Sequence, residues 1–67
     1  MAVSYKKLFH RLVDLELSNV ELTKKAGITL NVITRMRRNE YVSLVSIEKI
    51  CLALQCGVED VLEFTDS

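Results

Sequence analysis

The twelve residues from Ser18 to Thr29 constrain this chain more than any other stretch. Ser18-Asn19-Val20-Glu21 has the S-x-x-E spacing in which a hydroxyl and a carboxylate satisfy each other's free backbone N–H groups at a helix start. Leu17 before that cap and Leu22 after it stand at hydrophobic-staple spacing. Gly27 closes the helix, because a residue without Cβ enters the left-handed conformation at no steric cost. A second helix starts at once, with Thr29 as its N-cap and Ile28 and Ile33 as its staple.

The rest of the chain reads as helix too. There is no proline, there are two glycines, and apolar residues recur at helical rather than strand spacing. The reading is all-α with five helices. The first spans about Tyr5 to Leu15 on a Tyr5, Leu8, Leu12, Leu15 stripe. The second and third flank Gly27, and the third runs to about Arg38, with Asn39 as its left-handed stop. Either Ser43 or Ser46 caps the fourth, which buries Ile47, Ile50, Cys51 and Leu54. A fifth spans Val58 to about Phe64, after a Cys56-Gly57 turn. Sixty-seven residues make one domain, 1–67, since a shorter core would not hold.

Helices two and three, joined through Ala26-Gly27-Ile28-Thr29, form a helix-turn-helix. The joint needs a small inward residue, a glycine and an apolar seal, and Ala26, Gly27 and Ile28 supply them in order. In this motif the first helix braces on the DNA backbone and the second enters the major groove. At about 100° per residue, Val32, Ile33 and Met36 fall on one side of helix three. Leu30, Asn31, Thr34, Arg35 and Arg38 fall opposite, with Arg37 at the edge. Those side chains suit base edges: Arg for guanine, Asn for adenine, Leu for a thymine methyl. Ser18 and Asn19 at the positive N-terminus of helix two, with Arg38 and the Glu40–Ser43 connection, are expected phosphate contacts.

Net charge is zero, which taken alone argues against nucleic acid. It is a sum of cancelling blocks. Lys6, Lys7 and Arg11 lead; Asp14, Glu16 and Glu21 follow; Lys24, Lys25, Arg35, Arg37 and Arg38 come next without an acid. Residues 40–67 carry six acids against Lys49 alone. The basic block coincides with the helix-turn-helix, and the acidic end is expected to curb non-specific binding.

The run from Leu17 to Leu62 resembles the lambda-repressor-like, Cro/XRE-type helix-turn-helix domain. Leu17, Glu21-Leu22, Ala26-Gly27-Ile28-Thr29, Ile33, Ile47, Ile50, Ala53-Leu54 and Val61-Leu62 carry the likeness. The tail IEKICLALQCGVEDVLEF is similar to short, stand-alone bacterial or phage members. The resemblance implies a five-helix domain, homodimeric binding to double-stranded DNA and transcriptional control, most often repression. It implies base reading by Thr29, Leu30, Asn31 and Arg35, to which the helical wheel adds Thr34. Phosphate contacts fall on Asn19 and Arg38, and the residue reading adds Ser18, Arg37 and Ser43. Two positions depart from the family. Arg37 replaces a common acid whose basic partner is replaced by Leu12, leaving Arg37 to Asp14 or to DNA. Asn39 stands where a glycine is usual.

Other features have plainer readings. Leu30 reads equally as a thymine-methyl reader and as a partner contact, and Lys24 and Lys25 as a solvated face. His10 reads as an ordinary surface or half-buried residue, and Cys51 as a small core hydrophobe. Cys56, five residues on, reads as lying off its face, against a disulfide. Tyr41, Val42, Leu44 and Phe64 serve either core or dimer surface. No phosphate loop, metal-ligand spacing, nucleophile motif or membrane-length apolar run occurs. The expectation is a cytoplasmic binder with no cofactor, metal, small-molecule ligand or enzymatic activity. The rival is a protein-interaction module (antitoxin, anti-repressor or adaptor) working through Glu59, Asp60, Glu63 and Leu30.

Overall fold

The computed structural model describes residues 2–66. Strand β1 (Ala2–Ser4) leads into α1 (Lys6–Asp14), α2 (Asn19–Ala26), α3 (Leu30–Arg37) and α4 (Leu44–Leu54). A single 3-10 turn (Val58–Asp60) and strand β2 (Glu63–Thr65) complete the order. β1 and β2 pair antiparallel, with Val3 opposite Phe64.

Local chemistry sets the helix ends. The capping box of α2 is present in both directions: Glu21 N–H donates to Ser18 Oγ at 3.1 Å, and Ser18 N–H to Glu21 Oε1 at 3.0 Å. Gly27 adopts φ 72°. A Cβ there would meet nothing within 4 Å, so the need for glycine is conformational rather than steric. Asn39 takes φ 57°, the expected left-handed stop. Ser43, not Ser46, caps α4, accepting from Ser46 N–H at 3.2 Å.

One core joins these elements. Leu8 and Leu12 of α1, Leu22 of α2, Ile33 and Met36 of α3, and Ile47 and Ile50 of α4 are buried together with Val3, Tyr5 and Val61. Full burial of a side chain such as Leu22 stabilises by roughly 1.5–3 kcal/mol. Ala26 packs half-buried against this core, as the joint requires, and so does Ile28.

The structure corrects four expectations. First, the helix count is four. The expected fifth helix is one 3-10 turn, held by Gly57 N–H donating to Asp60 Oδ2 at 3.3 Å, after which the chain extends into β2. Phe64 is aromatic and Thr65 β-branched, and residues 63–65 pair in a ladder with residues 2–4. Three-residue strands at opposite ends of the sequence offer no alternation to detect. Second, Leu15 ends the α1 stripe half-exposed rather than buried. Third, the turn after α4 is made by Gln55 at φ 53°, while Gly57 is extended. Fourth, that turn returns Cys56 to Cys51, whose thiol pKa rises, mainly through burial with the Cys56 thiol adding. Both thiols are free.

Candidate nucleic-acid interface

Packing of α3 decides which side chains face outward. Ile33 and Met36 are buried and Val32 packs half-buried on the core. Leu30, Asn31, Thr34, Arg35 and Arg38 are exposed, on the arc about 180° away on a 3.6-residue helix, and Thr29 is exposed at the N-cap. Leu30 is 51% exposed despite being apolar. Thr34 Oγ1 donates to Leu30 O at 3.1 Å, which spends its proton on the helix and leaves its lone pairs as acceptors. Thr29 holds the N-cap position with extended backbone, but its side chain makes no capping bond. Its hydroxyl is therefore not committed to the helix.

Arg35 is not alone on this arc. Its Nε lies 3.5 Å from Glu40 Oε1. Glu40 is itself fixed at both backbone groups: its N–H donates to Arg35 O at 3.0 Å, and its carbonyl accepts from Tyr5 Oη at 2.7 Å. Tyr5 is buried at the start of α1, and burial raises its phenol pKa above the usual 10.0. A core hydroxyl thus anchors the acid that holds Arg35. Engaging Nε leaves the two terminal guanidinium nitrogens of Arg35 for another acceptor pair.

At the start of α2 the first backbone N–H groups point out of the helix, as they must. The Ser18 hydroxyl accepts from Glu21 and keeps its own proton to donate. With its amide oxygen turned toward Arg37, Asn19 accepts from Arg37 Nε at 3.2 Å and Nη2 at 3.1 Å. The same guanidinium lies 4.7 Å over the centre of the Phe9 ring. Arg37 is therefore placed by Asn19 and Phe9, not by Asp14. The Asn19 amide N–H groups face away from that oxygen and remain as donors. Beyond α3, Ser43 is exposed, with its Oγ capping α4 and 3.1 Å from Ser46 Oγ.

The charge blocks pair in a pattern the sequence did not reveal. Lys7 Nζ lies 3.8 Å from Glu63 Oε2, and Arg11 Nη2 lies 3.6 Å from Asp60 Oδ1. Acids of the C-terminal segment thus answer the bases of α1. Lys24, Lys25 and Arg38 are exposed and have no acid within ion-pair distance among the described residues. The working surface of the rival module is partly spent, since Asp60 and Glu63 already hold internal partners.

Together these groups present hydrogen-bond donors and positive charge from three elements: the start of α2, the outer arc of α3, and the α3–α4 connection. Such a set can grip phosphate oxygens and reach base edges. Reasoning from the sequence missed Tyr5, Phe9 and Glu40. Glu40 was visible as the acid after the Asn39 stop, but its tie to Tyr5 spans 35 residues and had no local signal. Among the described residues no group of His, Cys, Asp and Glu is arranged to hold a metal, and no helix is long and apolar enough to cross a membrane.

Comparison with known proteins agrees with this fold. Residues 7–67 match the model of the Cro/C1-type HTH DNA-binding domain, and the chain belongs to that family. Among solved structures it is similar to the transcriptional regulator VanUg, with 34% identity and a TM-score of 0.85. That match covers 92% of this chain and 83% of the other. No curated protein matches the chain.

Proposed function

We propose that this chain, acting as one domain over residues 1–67, is a small transcriptional regulator. In this reading it binds double-stranded DNA sequence-specifically as a homodimer, with α3 in the major groove. The observation that carries it is the division of α3: an apolar side packed in the core and an exposed arc of Leu30, Asn31, Thr34, Arg35 and Arg38, with Thr29 exposed at the N-cap behind the Gly27 joint. The similarity to a transcriptional regulator supports the regulatory role. Its regulatory sign is read as repression by occupancy of the operator, in the cytoplasm.

The roles follow from the donors and acceptors. Arg35, held at Nε by Glu40, offers its terminal nitrogens to guanine O6 and N7. Asn31 matches adenine, and Leu30 a thymine methyl. Thr29 and Thr34 take single hydrogen bonds to base edges. Ser18, Asn19 and the first N–H groups of α2 close on one phosphate, with Arg37 beside them. Arg38 and Ser43 hold another. These backbone contacts set register, and the α3 arc sets sequence.

Anisotropy titrations of labelled duplex against salt test this reading. Affinity is expected to fall steeply with salt, by about one unit of log–log slope for each phosphate neutralised. Arg35→Ala is expected to cost about 1–3 kcal/mol on the preferred duplex and to relax one base position. Salt-insensitive retention, or an unchanged preference in Arg35→Ala, would overturn it.

A further inference from the structure

The β1–β2 pair, the α3–α4 connection and the start of α4 enclose an apolar groove of about 310 Å³. Its floor includes the buried Val3 and Ile47, and its walls include Tyr41, Leu44, Val58 and Phe64. No charged side chain lines it. The walls are largely open to solvent: Tyr41 is 65% exposed, Leu44 79%, Val58 49% and Phe64 60%. Segments from both ends of the sequence and its middle meet here only because β2 returns to β1.

We infer that this face is the surface through which two copies of the chain associate. The inference deepens the homodimeric reading above and rests on it. Three observations select a second copy as the occupant. The first is area: an aromatic side chain can bury ~150–250 Å². Tyr41 and Phe64 at their observed exposure, with Leu44 and Val58, therefore leave roughly 400 Å² of apolar surface uncovered. That is about half of the ~800 Å² each partner contributes to a stable interface, and it matches the apolar core of a homodimer contact. The second is charge: a lining without ionic groups suits neither a nucleic-acid nor an ionic partner, whereas an apolar copy of itself fits. The third is continuity. Ser43, the proposed phosphate contact, lies in the chain between Tyr41 and Leu44, so the apolar face borders the DNA-contacting one.

Sedimentation of the full chain over a wide concentration range, with and without duplex, tests the assignment. Wild type is expected to dimerise reversibly. Phe64→Glu on β2 and Leu44→Glu on α4 are each expected to weaken self-association at least about 30-fold, the effect of losing an interface hot spot. Val13→Glu, an exposed apolar position outside the groove, is expected to leave it unchanged. Circular dichroism melts establish that each variant folds, and two variants on different elements keep the test usable if one does not. On a single half-site duplex Phe64→Glu should bind like wild type, while on a paired site both groove variants should lose cooperativity. Unchanged dimerisation in both folded groove variants, or a wild type that stays monomeric, overturns the assignment, the latter giving the face to another partner. Loss of half-site binding by wild type itself would instead overturn the regulator reading.

Discussion

Arg35 and Arg38 lie three residues apart on α3 and differ in what holds them. Arg35 is tied to Glu40, whose backbone is locked by the Tyr5 hydroxyl; Arg38 is exposed with no acid within ion-pair distance among the described residues. A positioned guanidinium suits base reading, and a free one suits phosphate. Arg38→Ala should therefore weaken every duplex alike and lower the salt slope by about one, whereas Arg35→Ala should act on one base position. Competition titrations against matched and single-mismatch duplexes separate the two outcomes. Removing the anchor should act through Arg35: Tyr5→Phe loses one hydrogen bond, costs about 1 kcal/mol of stability, and should blur the same base position that Arg35→Ala relaxes. Stability by denaturant melts and preference by the same competition assay check it. These side-chain roles were only half legible in the sequence. The outward arc followed from helical arithmetic, because α3 has one apolar side. The partners of Arg35 and Arg37 did not, because Tyr5, Phe9 and Glu40 are brought to them by tertiary packing.

Helix boundaries were legible wherever a cap is written into adjacent residues. Ser18 with Glu21, Gly27 and Asn39 all act within four residues of themselves, whereas the sequence leaves the α4 cap open between Ser43 and Ser46 and the structure places it on Ser43. Two caps escaped notice because the residue is ordinary: Glu16 at φ 57° and Gln55 at φ 53° turn left-handed without being Gly or Asn. A left-handed residue bearing Cβ costs roughly 1–2 kcal/mol, part of which glycine recovers. Gln55→Gly is thus expected to stabilise by up to ~1 kcal/mol and raise the melting temperature by about 4–8 °C. Gly27→Ala should move it the other way, as thermal melts would show. The capping box adds a pH dependence. Hydrogen bonds from the Ser18 backbone and side chain hold the Glu21 carboxyl below its ordinary 4.5. A folded pKa below the unfolded one means stability that is present above pH 4.5 and lost as pH falls through the folded value. The melting-temperature advantage of wild type over Glu21→Ala should shrink across that acid window. The strands, in contrast, had no local trace. Each is three residues long, and their pairing joins the ends of the chain.

Across the whole molecule, zero net charge conceals an ordered arrangement. Acids of the C-terminal segment pair with Lys7 and Arg11 of α1, and Glu40 steadies Arg35. Lys24, Lys25 and Arg38 are left without such partners on the helix-turn-helix. The sequence separated the blocks but could not say which would meet, since that depends on β2 folding back beside β1. In the proposed function this internal pairing leaves unpaired positive charge on the helix-turn-helix and limits attraction to phosphate in general. The proposed function then places specificity on the α3 arc. The most direct test of that claim is selection of bound duplexes from a random pool by wild type and by Arg35→Ala. Wild type should enrich a short two-fold-related pair of half-sites, centred about 10–10.5 base pairs apart, and Arg35→Ala should relax one base in each half. A pool that stays random, or an Arg35→Ala pool identical to that of wild type, would contradict it.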